Sequence, residues 1–312
     1  MMNTFQKTAL ATLVATILLI SIGSLVRITG AGLGCPDWPR CWGAWLPPFS
    51  VEDLDLDYVR EQGYDTASFN PGKMWIEYAN RLVGVSIGFL VFLTFLRSLR
   101  YRKSQPFIFY GAGLAFMLVG LQGWLGGQVV KSGLQPGIIT LHMFLAMLLL
   151  ATLLYVTFNS FGHRVSIDIT DRGRTTLLRL GLFLLSVTTI QLLIGTQVRE
   201  GIDPFIKNAG GLARGEWLAQ VGFFDQVHRF SSWFVLLAGI LVHWSAKRHA
   251  VGTWLIPVTR SILAVILLQI ILGIILAYGS LPKPAQIMHL TLATLLICGE
   301  CSLLFMLTKR RL

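Results

Sequence analysis

The strongest constraint on this chain is a series of eight long apolar segments that together take up roughly half of its length. They fall near residues 8–28, 78–98, 107–130, 137–159, 175–198, 228–246, 254–278 and 285–308. Each is close to the ~20 residues that an α-helix needs to cross the hydrocarbon core of a bilayer. Since a helix satisfies its backbone hydrogen bonds internally, the sequence predicts an all-α membrane protein with eight transmembrane helices.

The composition agrees with a membrane protein and argues against several other classes. Apolar residues make up 54% of the 312 residues and charged residues make up 13%. That is about half the charged share of a soluble domain, so too few charges remain to cover a globular surface in water. A disordered chain, a coiled coil and a disulfide-dense secreted module are therefore excluded, and an ordinary soluble enzyme is disfavoured. The first segment follows Lys7 and is interpreted as a retained anchor, because seven more segments come after it.

The distribution of charge gives the segments an orientation. With the N-terminus inside, the inner loops and termini hold fifteen of the 26 Lys and Arg residues but only Asp168 and Asp171 among the acidic ones. This is the positive-inside bias of membrane proteins. We expect a multi-pass protein of the cell membrane, with both termini cytoplasmic and long outer loops at 29–77 and 199–227. The net charge of +11 then reflects topology and anionic lipid, not nucleic-acid binding.

The second half of the chain repeats the first. The matching pairs are Gly23–Arg27 with Gly195–Arg199, Glu77–Arg81 with Asp225–Arg229, and Gln122, Gly126 and His142 with Gln269, Gly273 and His289. Four segments per copy, with both copies starting inside, predict a parallel repeat of two pseudo-symmetric four-helix bundles. We place the N-terminal bundle in residues 1–165 and the C-terminal bundle in 166–312.

Three of the six histidines, His142, His228 and His289, lie at the predicted outer ends of helices. The last two come from one bundle, where two neutral imidazoles facing each other suit the two axial positions of a haem iron. The alternative is that each imidazole hydrogen-bonds a neighbouring helix. Zinc is less favoured, because no carboxylate or thiolate obviously completes a tetrahedral set. His243, near the inner end of its helix, fits an interfacial residue.

The first bundle breaks the symmetry, because Asn80 stands where the second bundle has His228. A haem in the first bundle would keep His142 as a strong axial ligand and have a weak or empty position opposite. An open position suits oxygen chemistry, whereas bis-histidine haem suits electron transfer. Arg81 and Arg229 directly follow the two non-equivalent residues. Each is suited to pair a haem propionate or to extend to the lipid headgroups.

Two further features accompany the first bundle. Glu77 lies one helical turn before Asn80, and its carboxylate is either a proton carrier or stabiliser beside a substrate, or a partner of Arg81. Cys35 and Cys41 are six residues apart in the first outer loop. They either close a stabilising disulfide in an oxidising compartment or act as a redox-active dithiol. The acidic stretch that follows them is expected to carry a surface helix over the bundle.

Taken together, these residues resemble the haem A synthase family over nearly the whole chain. The resemblance rests on the run from Gly30 to Cys41, on Glu77-x-x-Asn80-Arg81, on Thr140-Leu141-His142, on His228-Arg229 and on Met288-His289. It implies an oxidoreductase that converts haem O into haem A by oxidising the C8 methyl group of the porphyrin to a formyl group through successive hydroxylations.

The resemblance also implies how the two bundles are used. Haem b would lie between His228 and His289, with Arg229 beside it. Haem O would be handled in the first bundle, where the family's functional glutamate matches Glu77 and where His142 is the remaining iron ligand. The implied partners are haem O, membrane lipid, a haem O synthase and further copies of the chain. The electron donor is not identified by the sequence.

One residue departs from the family pattern, since the family's usual motif has a histidine at the position of Asn80. We expect Asn80 or water to take the place opposite His142. The family's cysteine pair matches Cys35 and Cys41. The competing hypothesis is a non-catalytic dihaem membrane cytochrome in quinone-linked electron transfer, which predicts four histidine ligands. A transporter would instead need broken helices with polar residues at the membrane midplane.

Overall fold

The structure is a computed structural model, and its description covers residues 2–161, 169–207, 213–250 and 253–308. Several sequence predictions fall elsewhere: the bundle boundary at 165–166, the inner-loop residues Arg164 and Asp168, and the C-terminal charges at 309–311 lie outside the described residues. The described part is helical and contains no strand, apart from one isolated bridge between Cys41 and Ala44.

Ten α-helices form the described part of the chain. They are α1 Thr4–Ile28, α2 Leu56–Glu61, α3 Pro71–Ser98, α4 Pro106–Lys131, α5 Ile138–Ser160, α6 Asp171–Lys207, α7 Trp217–Val221, α8 Phe223–His249, α9 Leu255–Tyr278 and α10 Lys283–Thr308. Eight of them, all except α2 and α7, are long and apolar enough to cross a membrane. This confirms the prediction of an all-α membrane protein with eight spanning helices.

Local sequence explains where the first helices begin. The Asn3 side chain accepts from the Gln6 N–H, and the Gln6 side chain accepts from the Asn3 N–H, both at 2.9 Å. This reciprocal capping box satisfies two backbone donors that a helix start leaves free. Asn70 caps α3 by accepting from the Lys73 N–H, and Pro71 follows it in the first turn, where its missing N–H costs nothing.

The eight long helices pack as two rings of four. In the first ring α1 contacts α3, α3 contacts α4, α4 contacts α5, and α5 returns to α1. Helices α6, α8, α9 and α10 repeat this order in the second ring. Each ring has its own apolar core, around Leu150 and Leu153 in the first and around Leu184 and Ile266 in the second. The rings meet where α10 packs against α1 and α5.

Two helices extend further at one end than their apolar segments predicted. Helix α3 begins at Pro71 instead of residue 78, and α6 continues to Lys207 instead of ending at 198. These extra turns carry charged residues, so hydropathy does not mark them. They are nevertheless helical because their charged side chains find partners: Glu77 pairs with Arg81, and Arg199 pairs with Asp203.

The loop between α1 and α3 covers the end of the first ring. Its backbone at Gly34 lies directly on the start of α3, since an added Cβ there would be 2.6 Å from the Lys73 backbone. On the other side, the Trp38 ring packs on Gly127 of α4, where an added Cβ would lie 2.8 Å from the indole. The expected surface helix in this loop is present as the short helix α2. The loop is thus fixed to two helices of the ring.

Candidate functional site

The second ring brings two histidines face to face. The ring centroids of His228 on α8 and His289 on α10 are 6.4 Å apart, and the ring planes are inclined at 70°. If both imidazoles bound one metal ion between them, the distance between the ring centroids would be two metal–nitrogen bonds of about 2.0 Å each plus roughly one ring radius on each side. That sum is close to the observed separation. The spacing therefore fits one metal centre gripped from both sides by imidazoles.

Each candidate histidine is held by a Gln-x-x-x-Gly segment on the helix that faces it, and we call this arrangement an imidazole socket. In every socket the glutamine Nε2 donates to the backbone carbonyl of the histidine, and the glycine lies opposite its Cε1. The sets are Gln122 and Gly126 with His142, Gln191 and Gly195 with His228, and Gln269 and Gly273 with His289; the hydrogen bonds measure 3.0, 2.7 and 2.9 Å.

Sequence reasoning noticed two of these glutamines as part of the repeat but missed their contacts, and it missed Gln191 entirely. The signal was available, because a glutamine precedes a glycine by four residues in all three segments. At that spacing both residues lie on one helix face. The glutamine fixes the histidine backbone while the glycine leaves room for its ring, so the imidazole position is set by the protein itself.

The ring nitrogens of the three socket histidines have no hydrogen-bond partner in the part of the chain that the structure describes. Nδ1 of His142, of His228 and of His289 is buried without a hydrogen-bond partner, and no hydrogen bond reaches either ring nitrogen within the described residues. His243 behaves differently, because its Nδ1 is 3.0 Å from the Thr259 hydroxyl. The alternative in which each imidazole bonds a neighbouring helix thus describes His243 but not the sockets.

These observations fit haem better than a bare metal ion. Unpartnered imidazoles at ligand spacing are what a bis-histidine haem requires. A zinc ion would need a further set of ligands, and no group of three or more His, Cys, Asp or Glu side chains suited to a metal ion occurs in the described ranges.

A glycine substitution tests the socket geometry. An added Cβ at Gly195 would lie 3.0 Å from Cε1 of His228, whereas one at Gly273 would lie 4.0 Å from Cε1 of His289. Gly195→Ala should displace the imidazole at a cost of about 1–3 kcal/mol and lower cofactor retention in the second ring. Haem content and the visible spectrum after gel filtration measure this. Gly273→Ala is the matched control, and equal effects of the two changes would contradict the geometry.

The first ring keeps one complete socket. His142 lies near the start of α5 with Gln122 and Gly126 facing it from α4. Asn80 on α3 occupies the repeat position of His228, and its Oδ1 atom is buried without a hydrogen-bond partner among the described residues. The structure therefore contains one site with two imidazoles and one site with a single imidazole.

Glu77 is the centre of a buried polar cluster beside this site. Its Oε2 accepts the Cys35 N–H at 2.9 Å, and its Oε1 forms an ion pair of 2.5 Å with Arg81. Arg81 also donates to the backbone carbonyls of Asp37 and Arg40, at 3.0 and 2.9 Å. Both side chains predicted for the site are thus bound to the first outer loop, and Arg81 has few donors left for a propionate.

The same loop is organised by Asp37. Its carboxylate accepts the Trp42 and Gly43 N–H groups at 2.6 and 2.8 Å and the Tyr58 hydroxyl at 3.2 Å. Partial burial, followed by the charge of Asp37, raises the pKa of Tyr58 to about 12. The phenol therefore stays protonated near neutral pH and remains a donor to the carboxylate.

Cys35 and Cys41 form a disulfide, and both residues are fully buried. This confirms the pairing of the two cysteines. A disulfide exchanges only when a thiolate can reach it, so the closed loop protects the bond. The structure favours a stabilising role for the pair.

Removing the disulfide should loosen the loop. For a ring this short, Cys35→Ser with Cys41→Ser is expected to cost about 2 kcal/mol of stability, measured by thermal unfolding in detergent. The native protein should also resist thiol labelling after mild reduction, as followed by mass spectrometry. The control is Cys298→Ser with Cys301→Ser, since those thiols are free. Rapid reduction of the native protein would support the redox-active alternative instead.

The second ring contains an ion pair that corresponds to Glu77–Arg81, and its arginine is more exposed to solvent. Asp225 and Arg229 form an ion pair of 2.7 Å, and the Arg229 side chain is 42% exposed. The corresponding Arg81 side chain is 13% exposed. Of the two arginines predicted to meet propionates, Arg229 is therefore the one with free donors.

A polar seam, formed by residues of α1, α5 and α6, joins the rings at the end that carries the sockets. Asp203 accepts from Arg27 of the first ring at 2.7 Å and from Arg199 of the second at 2.5 Å. Nearby, Thr140 donates to the Glu200 carboxylate at 2.9 Å. Arg27 and Arg199, which end the first matching segments of the repeat, therefore share a carboxylate of the protein as their partner.

Spanning helices in two rings, with two opposed imidazoles at one end, define a membrane protein with a site whose geometry suits a haem-type group. Comparison with known proteins agrees. Residues 6–299 match the family model COX15-CtaA, described as cytochrome oxidase assembly protein. The chain belongs to this family, which confirms the resemblance found in the sequence.

Several relatives are named Heme A synthase. The one from Shewanella oneidensis is 27% identical over 223 residues, which cover 70% of this chain and 64% of that protein, less than two thirds of its length. The one from Dinoroseobacter shibae is 28% identical, covering 90% of this chain and 82% of that protein. The one from Methylobacterium nodulans is 27% identical, with coverage of 90% and 86%.

Proposed function

We propose that the chain is a haem A synthase, an oxidoreductase that converts the C8 methyl group of haem O to a formyl group. The observation that best supports this function is the inequality of the two sites. His228 and His289 oppose each other at 6.4 Å, whereas in the first ring Asn80 stands at the repeat position of His228. An unequal pair of haem sites suits electron delivery in one ring and chemistry in the other.

The second ring, within residues 166–312, holds haem b. When bound between His228 and His289, haem b supplies reversible one-electron chemistry. Gln191 and Gln269 fix the backbones of these histidines through their carbonyl groups. Arg229 offers its exposed donors to a propionate.

The first ring, within residues 1–165, receives haem O as substrate. His142 provides the imidazole for its iron. Glu77 places a carboxylate one turn from Asn80, and the Cys35 N–H and Arg81 hold that carboxylate in a single orientation. Because the first outer loop covers this end of the ring, it limits access of water to the reacting methyl group.

The proposed orientation places both termini in the cytoplasm and the Cys35–Cys41 loop outside the cell membrane. The excess of Lys and Arg in the predicted inner loops supports this. The disulfide supports it as well, because such bonds persist in oxidising compartments.

Purification from cells that make haem O tests the function. Haem extracted from the protein should contain haem B together with haem O or haem A, resolved by liquid chromatography and mass spectrometry. Two equivalents of haem B with no other haem would favour the dihaem cytochrome. A protein without a Soret band, despite ample haem supply, would refute both functions.

A further inference from the structure

By the sequence repeat, the counterpart of the His228 socket lies between α1 and α3, and we call it the fourth socket. Several of its residues differ from those of the intact sockets. The intact counterpart in the second ring is a chain of contacts: Ser231 donates to the Gln191 side chain, and Gln191 donates to the His228 carbonyl at 2.7 Å. In the fourth socket the corresponding residues are Val83, Leu19 and Asn80. The imidazole and both side chains that anchor its backbone are therefore replaced as a group.

The replacement makes the fourth socket apolar. Leu19 and Val83 both pack against the apolar core of the first ring. A polar glutamine and serine at these half-buried positions, against an apolar core, would need each other or the histidine carbonyl as partners. Their joint replacement by apolar residues fits a site that works without an imidazole.

The fourth socket keeps its glycine and has room beside it. An added Cβ at Gly195 would meet His228 at 3.0 Å, but an added Cβ at Gly23 would meet no atom within 4 Å. Asn80 is shorter than histidine, and its Oδ1 is buried without a hydrogen-bond partner in the described part of the chain. A buried amide of this kind is normally hydrogen-bonded. The Asn80 amide presents its oxygen, which accepts, or after a half-turn its Nδ2 group, which donates, so the position is suited to a small molecule that makes one hydrogen bond.

We propose that the fourth socket binds a small uncharged ligand of the carbon monoxide type, on the face of the first-ring haem opposite His142, with the Asn80 amide turned so that its Nδ2 group donates to the ligand. This inference rests on the proposed function and extends it. It assigns ligand access to one of the two haem sites only, because in the second ring His228 closes the equivalent face. The polarity of such a distal group and the space around it decide which ligands bind there.

Carbon monoxide titration of the reduced, purified full chain tests the proposal. We expect one equivalent to bind per chain carrying two haems, as seen in the visible difference spectrum. Leu19→Gln with Asn80→His rebuilds the socket, so it should abolish carbon monoxide binding and add a second low-spin signal in electron paramagnetic resonance. The reverse exchange in the second ring, Gln191→Leu with His228→Asn, should raise binding to two equivalents.

A second measurement concerns Asn80 alone. Asn80→Leu keeps the face open but removes the amide, so carbon monoxide should still bind while its infrared stretching frequency rises. An unchanged frequency would overturn the role of the amide. Absence of carbon monoxide binding in a chain that holds two haems would overturn the open socket and leave the proposed function intact. A chain that holds no haem would refute the proposed function itself.

Discussion

His289→Ala should empty the second ring of its cofactor and stop product formation. One of two opposed imidazoles is then lost, and the remaining His228 faces open space across the former 6.4 Å separation. Changing a residue that only orients a metal ligand typically costs about 10–100-fold in affinity or activity, so loss of a ligand should cost at least about 100-fold. Haem content by pyridine haemochrome and haem A formation in membranes measure the two effects.

The matched control for this prediction is His243→Ala. His243 is also a membrane histidine, but it bonds Thr259 and faces no second imidazole. Its removal should leave haem content and product formation close to those of the unchanged protein. Normal haem content in His289→Ala would show that the opposed pair is not the ligand set.

Glu77→Ala should destabilise the first outer loop and abolish activity. The change leaves Arg81 and the Cys35 N–H without their shared carboxylate in a buried cluster. Breaking a buried ion pair from one side costs about 3–5 kcal/mol, and the remaining carbonyl partners of Arg81 place the expected loss near the lower value, at about 3 kcal/mol. Thermal unfolding in detergent and limited proteolysis of the loop measure the stability.

Two further variants separate the roles of Glu77. Asp225→Ala removes the corresponding carboxylate of the second ring, where Arg229 is 42% exposed, so it should cost about 1 kcal/mol or less. Glu77→Gln keeps an acceptor for the Cys35 N–H but removes the charge. If this variant is stable yet inactive, the charge acts in the reaction. Equal stability losses in Glu77→Ala and Asp225→Ala would contradict the buried cluster.

Much of the fold could be predicted because the bilayer imposes one requirement on every spanning segment. Runs of about 20 apolar residues are helices, and all eight predicted segments are helices in the structure. The outer turns of α3 and α6 could not be predicted in this way. Their charged side chains have partners one helical turn away, such as Arg81 for Glu77, and far away in the chain, such as Arg27 for Asp203, and hydropathy contains neither kind of information.

The candidate site shows the same division. Histidines repeated at equivalent positions, 20 residues after a glutamine in each half, pointed to the same helix ends at which the structure forms the sockets of His142 and His289. The free ring nitrogens could not be predicted, because whether an imidazole finds a partner depends on packing. The engagement of Arg81 by the outer loop was also not predictable, since its acceptors are backbone carbonyls, which any sequence provides.

The carboxylate of Asp203 has a consequence for how the polypeptide is made. It is the counter-ion for an arginine, Arg27, that leaves the ribosome some 170 residues earlier. Until α6, the fifth spanning helix, has been synthesised and docked, the Arg27 guanidinium at the end of α1 lacks this carboxylate. A partly buried charge without a counter-ion is costly, so the first ring is less stable until α6 packs against it. A chain that ends before the fifth spanning helix should therefore lack this ion pair, and the first ring should be less stable on its own than in the full chain.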